Sequence, residues 1–88
     1  MTQKELTVKN RLGLHARPAA LFVQTAAKFR SEIKVSKGEV EVNGKSVMGL
    51  MMLAAECGSK VKVVAEGSDE KKALDELSQL FDRKFDEE

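Results

Sequence analysis

Ile33-Lys34-Val35-Ser36-Lys37-Gly38-Glu39-Val40-Glu41-Val42 is the stretch that decides the fold. Ile33 and Val35 alternate with Lys34 and Ser36. Beyond Lys37-Gly38, Val40 and Val42 alternate with Glu39 and Glu41. Successive side chains of a strand point to opposite faces, so each run has one apolar and one wet face. Lys37-Gly38 supplies the turn between them, and the pair reads as a hairpin.

On the N-terminal side, Leu6 and Val8 alternate with Glu5, Thr7 and Lys9, which predicts another half-buried strand. Residues 10–15 form a loop in which Gly13 permits an unusual backbone conformation. Ala19, Phe22, Val23, Ala26 and Phe29 then recur at spacings of three and four and share one helical face. Pro18 fits only a first turn, where its missing N–H is no loss, so this helix starts at about Ala16 or Arg17. On the C-terminal side, Asn43-Gly44 ends the hairpin, and Ser46 is positioned to cap a short helix over 47–55 that stops before Gly58. Val61, Val63 and Ala65 predict a fourth strand, broken by Gly67. Ser68 is the expected cap of a last helix with Asp69 and Glu70 in its first turn. Its buried stripe is Ala73, Leu74, Leu77, Phe81 and Phe85, and Asp86-Glu87-Glu88 is expected to fray. The order is β-α-β-β-α-β-α in a single domain, residues 1–88. The fold class is α+β: an open-faced sandwich with a four-stranded, mostly antiparallel sheet and three helices on one face.

Composition narrows the function. The 88 residues hold 15 Lys+Arg against 14 Asp+Glu, and only one His, one Pro and one Cys. Cys57 has no partner for a disulfide, and Cys57 with His15 falls short of the about four ligands of a zinc site, so no metal and no cofactor are expected. The start MTQKELTV lacks the basic and apolar regions of a signal peptide, and no apolar run approaches the ~20 residues of a membrane span. A cytoplasmic protein without membrane insertion is expected. A net charge of +1 argues against broad nucleic-acid binding. That charge is unevenly spread, however. Residues 1–45 carry nine Lys/Arg and four Asp/Glu, and residues 46–88 carry six and ten. The basic half contains His15, where an anionic group or acidic partner is a reasonable expectation.

Three features converge on His15. The opening turn of the helix has backbone N–H groups without intrahelical partners. The positive end of its dipole points to the same place. Arg17, two residues on, offers a fork of donors suited to phosphate oxygens. The physical reading is a histidine that accepts and passes on a phosphoryl group. The residues alone leave open a plain polar loop histidine.

The run Gly13-Leu14-His15-Ala16-Arg17-Pro18-Ala19-Ala20 resembles the signature of the HPr family, the histidine-containing phosphocarriers of the bacterial phosphoenolpyruvate-dependent sugar phosphotransferase system. Lys45-Ser46-Val47-Met48-Gly49-Leu50-Met51 resembles that family's second signature, and length and element order extend the likeness to essentially the whole chain. The resemblance implies that His15 is the phosphoryl acceptor through Nδ1, with Arg17 contacting the phosphate. Enzyme I would be the donor and the IIA units of sugar permeases the recipients. It implies a carrier without turnover of its own, not an enzyme. It also implies phosphorylation of Ser46 by HPr kinase/phosphorylase, with a transcriptional regulator as a further partner.

Ser46 reads independently as a helix N-cap. Val47, Met48 and Met51 beside it, with Ala16, Ala20 and Gln24 on the first helix, form a candidate partner-binding patch around His15. Core filling is the competing reading of the methionines, although Leu50 and Leu53 fit the core better. Lys45 is either a kinase or phosphate contact or a solvated lysine. Cys57 reads as an inert thiol, and Asp69 as a helix-start charge. The alternative function is a regulatory relative: a carrier of the nitrogen-related branch, or a co-regulator acting through phosphorylated Ser46. A small-ligand or RNA-binding domain lacks a stacking platform on its strands. A monomer is expected on size and surface grounds.

Overall fold

The computed structural model describes residues 1–87. In chain order these form β1 (Thr2–Thr7), α1 (Ala16–Ala26), β2 (Glu32–Lys37), β3 (Val40–Asn43), α2 (Val47–Met52), β4 (Lys60–Glu66) and α3 (Glu70–Asp82). The sheet order is β1-β4-β2-β3, and every neighbouring pair is antiparallel. The predicted hairpin sets Val35 opposite Val42 and Lys37 opposite Val40, with Gly38 turning the chain at φ +60°.

Leu6, Ile33, Val35, Val61, Val63 and Ala65 are buried on the inner sheet face. Gln3, Glu5, Lys34 and Lys62 alternate with them and are exposed. The helices cover the inner face with Ala19, Phe22 and Ala26 from α1 and with Ala73, Leu74, Leu77 and Phe81 from α3. Phe22 and Phe81 meet edge-on, with ring centroids 6.2 Å apart. Full burial of such a side chain stabilises the fold by about 2 kcal/mol.

Four local expectations are corrected. α2 ends at Met52, short of residue 55, because Ala54 takes a left-handed backbone (φ 51°) that turns Ala55 toward the His15 loop. Phe29 is buried but lies beyond the end of α1, in the turn before β2. The N-cap of α3 is Asp69 rather than Ser68, and its side chain makes no cap bond. Its carboxylate instead reaches across to the α1–β2 turn and accepts from the N–H groups of Arg30 (2.9 Å) and Ser31 (3.0 Å) and from the Ser31 hydroxyl (2.5 Å). These bonds hold the Asp69 carboxyl below the usual carboxylate range, the Ser31 hydroxyl foremost, so helix-start charge is not its main role.

The C-terminal end departs most. α3 stops at Asp82, and Lys84, Phe85 and Asp86 all take left-handed backbone, with φ 56°, 54° and 59°. Phe85 remains buried, its ring 4.9 Å from that of Phe81. This turn folds Glu87 back over the molecule, so residues 86–87 do not fray. Glu88 lies outside the described residues.

Candidate functional site

The loop before α1 is held at several points. Val8 exchanges backbone hydrogen bonds with the 58–59 segment, accepting from Gly58 N–H (2.7 Å) and donating to Ser59 O (2.8 Å). Asn10 is fully buried, and its Nδ2 donates to Gly13 O at 2.6 Å. Gly13 sits at φ +73°, so close to the next segment that a Cβ would lie 2.4 Å from Ala55 O. Leu14 donates its N–H to the same Ala55 carbonyl at 2.9 Å and buries its side chain. The chain then enters α1 at His15, which is the N-cap residue, with extended backbone (φ −78°, ψ −173°).

The His15 imidazole makes no cap bond to its own helix, and its side chain is 37% exposed. The N–H groups of Ala16 and Arg17 have no carbonyl within the helix to bond, and Pro18 has no N–H to offer. The mouth of α1 therefore presents two donors with no partner among the described residues, and the positive end of the dipole, beside an accessible imidazole. Arg17 is exposed one residue into the helix.

Glu87 completes this surroundings, and sequence reasoning missed it. Its Oε1 lies 3.1 Å from His15 Nε2 and accepts from Asn10 Nδ2 at 3.0 Å. Burial pushes the Glu87 carboxyl up. Hydrogen bonds from His15 and Asn10, with the charges of His15 and Arg17, outweigh that effect and hold it below the usual carboxylate range. Asn10 was missed as well; its Oδ1 is buried with no partner among the described residues. A polar residue beginning a loop carries no sequence mark of such burial. A groove lined by Arg17, Ala20, Leu21, Gln24, Phe85, Asp86 and Glu87 joins the C-terminal turn to the exposed side of α1.

Ser46 is the N-cap of α2, its Oγ accepting from Gly49 N–H at 3.0 Å. Lys45 is half-buried, and its Nζ donates to Phe29 O at 2.8 Å, tying the α2 cap region to the turn after α1. Leu50 and Leu53 enter the core, whereas Met48 (73%) and Met51 (42%) are exposed and Val47 is half-buried. Met52 is as exposed as Met48 and extends the apolar surface beyond the expected set. α2 packs against α1, on which Ala16 and Gln24 are exposed and Ala20 is half-buried. Cys57 is exposed, with Sγ 3.7 Å from Lys9 O. Among the described residues, no group of three or more His, Cys, Asp or Glu could hold a metal ion, and no helix is long and apolar enough to cross a membrane.

The family model described as "PTS HPr component phosphorylation site" matches residues 2–83. The phosphocarrier protein HPr of Treponema pallidum is 50% identical over 88 residues, covering 100% of both chains. The crystal structure of HPr-C-His from Thermoanaerobacter tengcongensis superposes with a TM-score of 0.96 at 52% identity, covering 100% of this chain and 99% of that one. Crh of Bacillus subtilis, described as a catabolite repression protein forming an intertwined dimer with a swapped domain, matches with a TM-score of 0.77 at 44% identity. That match covers 96% and 97% of the two chains. The chain belongs to the HPr family, the phosphocarriers of the phosphotransferase system. A dimeric relative of this similarity sits uneasily with the expectation of a monomer.

Proposed function

We propose that this chain, as a single HPr-like domain, accepts a phosphoryl group on His15 Nδ1 from phospho-enzyme I and passes it to IIA units of sugar permeases. The observation that carries this reading is an accessible imidazole at the mouth of α1 that caps no helix N–H and has Arg17 beside it. The helix donors and the Arg17 guanidinium would hold the phosphoryl oxygens. The partners bring the remaining catalytic groups, so the chain is a carrier and not an enzyme acting alone. It would work in the bacterial cytoplasm. Ala16, Ala20, Gln24, Val47, Met48 and Met51 would meet the partners, with Lys45 at the edge of the surface. Ser46 is the proposed regulatory site, read by HPr kinase/phosphorylase. A phosphate at that N-cap is compatible with the helix and adds about two negative charges beside Met48 and Met51.

The second reading is a regulatory relative, either of the nitrogen-related branch or a serine-phosphorylated co-regulator. The similarity to Crh supports it. A regulator that had given up transfer would have no need of His15, which favours the carrier. A coupled assay with phosphoenolpyruvate, enzyme I and a purified IIA unit tests the carrier. Phosphoryl arriving on IIA only when this chain is present is the expected result. A chain that becomes labelled and never passes the label on would favour the regulator. Size-exclusion chromatography with light scattering tests the proposed monomer.

A further inference from the structure

We infer that Glu87 is a positioning residue for phosphoryl transfer at His15, an inference that rests on the carrier reading above. His15 Nε2 faces the Glu87 carboxylate at 3.1 Å. In the neutral ring, that acceptor places the proton on Nε2 and leaves the lone pair on Nδ1. The carboxylate is itself held, because buried Asn10 donates from one Nδ2 to both Gly13 O and Glu87 Oε1. The same amide thus positions the loop that carries the imidazole and the carboxylate that orients it.

The backbone supports a dedicated placement. Lys84, Phe85 and Asp86 adopt consecutive left-handed conformations that L-residues disfavour. The turn is held by Phe85 against Phe81 and by bonds from Asp86 N–H to Arg83 O (3.0 Å) and Glu87 N–H to Lys84 O (2.9 Å). A chain continuing α3 would carry Glu87 away from His15.

The chemistry requires a charge at this point. The Nδ1 lone pair forms the new P–N bond. The bond from phosphorus to the donor atom breaks, and its electron pair leaves with the donor. The Nε2 proton stays in place, so the ring gains one positive charge, which the adjacent carboxylate balances. Onward donation is the reverse: the P–N electrons return to Nδ1 and the ring becomes neutral. Glu87 therefore favours loading of His15 and draws the equilibrium toward the phosphorylated ring, whose positive charge it balances, as the buried carboxylate of a serine-protease triad does for its imidazolium.

The test uses Glu87→Gln and Glu87→Ala in the full chain. Forward transfer from charged enzyme I and the reverse transfer are each measured over a range of carrier concentration. The expected result is a forward kcat lower by about fivefold, the ceiling set by a partly exposed ion pair, with no slowing of the reverse transfer. KM stays unchanged, and a loss confined to the forward direction is what a merely structural role would not give. Ring 15N shifts of the wild type are expected to show the neutral proton on Nε2. Wild-type forward kcat in both variants, an equal loss in both directions, or a proton on Nδ1 would overturn the inference while leaving the carrier reading intact. A wild type that takes no phosphoryl group at all would overturn both.

Discussion

Leu14 donates its backbone N–H to the carbonyl of Ala55 at 2.9 Å, and Gly13, one residue earlier, rests against the same carbonyl. This contact ties the loop carrying His15 to the segment that leaves α2. It explains why α2 is short and why only glycine suits position 13: φ is +73°, and an added Cβ would lie 2.4 Å from Ala55 O. Gly13→Ala is expected to lose roughly 2–3 kcal/mol of stability, since it adds backbone strain to a clash. Urea unfolding measures this; a midpoint equal to that of the wild type would contradict the account of the loop.

Phe85 anchors the left-handed turn that returns Glu87 to His15. Phe85→Ala should cost about 3 kcal/mol by opening a cavity beside Phe81. It should also release the Glu87 contact, which ring 15N shifts of His15 report separately from the loss of stability. Unchanged shifts in a folded variant would show that the turn does not depend on this ring.

Ser46 separates capping from regulation. Ser46→Ala removes the oxygen that accepts from Gly49 N–H and should lower stability by about 1 kcal/mol. Ser46→Asp keeps an acceptor at the cap, so stability should stay near that of the wild type. The added charge beside Met48 and Met51 should weaken docking to an acidic face of enzyme I, raising KM for the carrier. Equal transfer kinetics for Ser46→Asp and wild type would remove the regulatory proposal.

Acid should loosen the contacts of the α3 start. Glu70 accepts from the Thr2 hydroxyl, from Gly67 N–H and from the chain's N-terminal ammonium, and the Thr2 bond foremost lowers its carboxyl to about 2. Asp69 is lowered too, by its bonds to Ser31 and Arg30. A carboxyl that ionises more easily in the folded than in the unfolded chain stabilises the fold above its unfolded value, and this is lost as pH falls toward its folded value. Stability should therefore decline from about pH 4.5 toward pH 2, and Glu70→Gln should flatten part of that decline in thermal unfolding scans. An unaltered pH profile in Glu70→Gln would show that this carboxylate is not responsible.

Periodicity made the fold legible. Ile33 to Val42 announced a hairpin, and Pro18 located the start of α1 within a residue. What stayed hidden depends on contacts distant in sequence. Asp69 has the type and position of a helix-start charge, yet it spends its oxygens on Arg30 and Ser31. Lys45 looks solvated in a loop, yet it reaches Phe29 O. The placement of His15 and Arg17 at the start of α1 and of Ser46 at the cap of α2 was legible, because Pro18 and the cap serine are local signals. Asn10 and Glu87 were not, since the bond between them spans 77 residues and passes through left-handed backbone at three non-glycine residues. Polar residues near a chain end give no periodic signal for such a return.

The most direct measurement incubates the purified chain with enzyme I and labelled phosphoenolpyruvate and compares it with His15→Ala. The account predicts an acid-labile, base-stable phosphate on the wild type and none on the variant, with both equally folded by circular dichroism. Failure of the wild type to label, or equal labelling of His15→Ala, would contradict it.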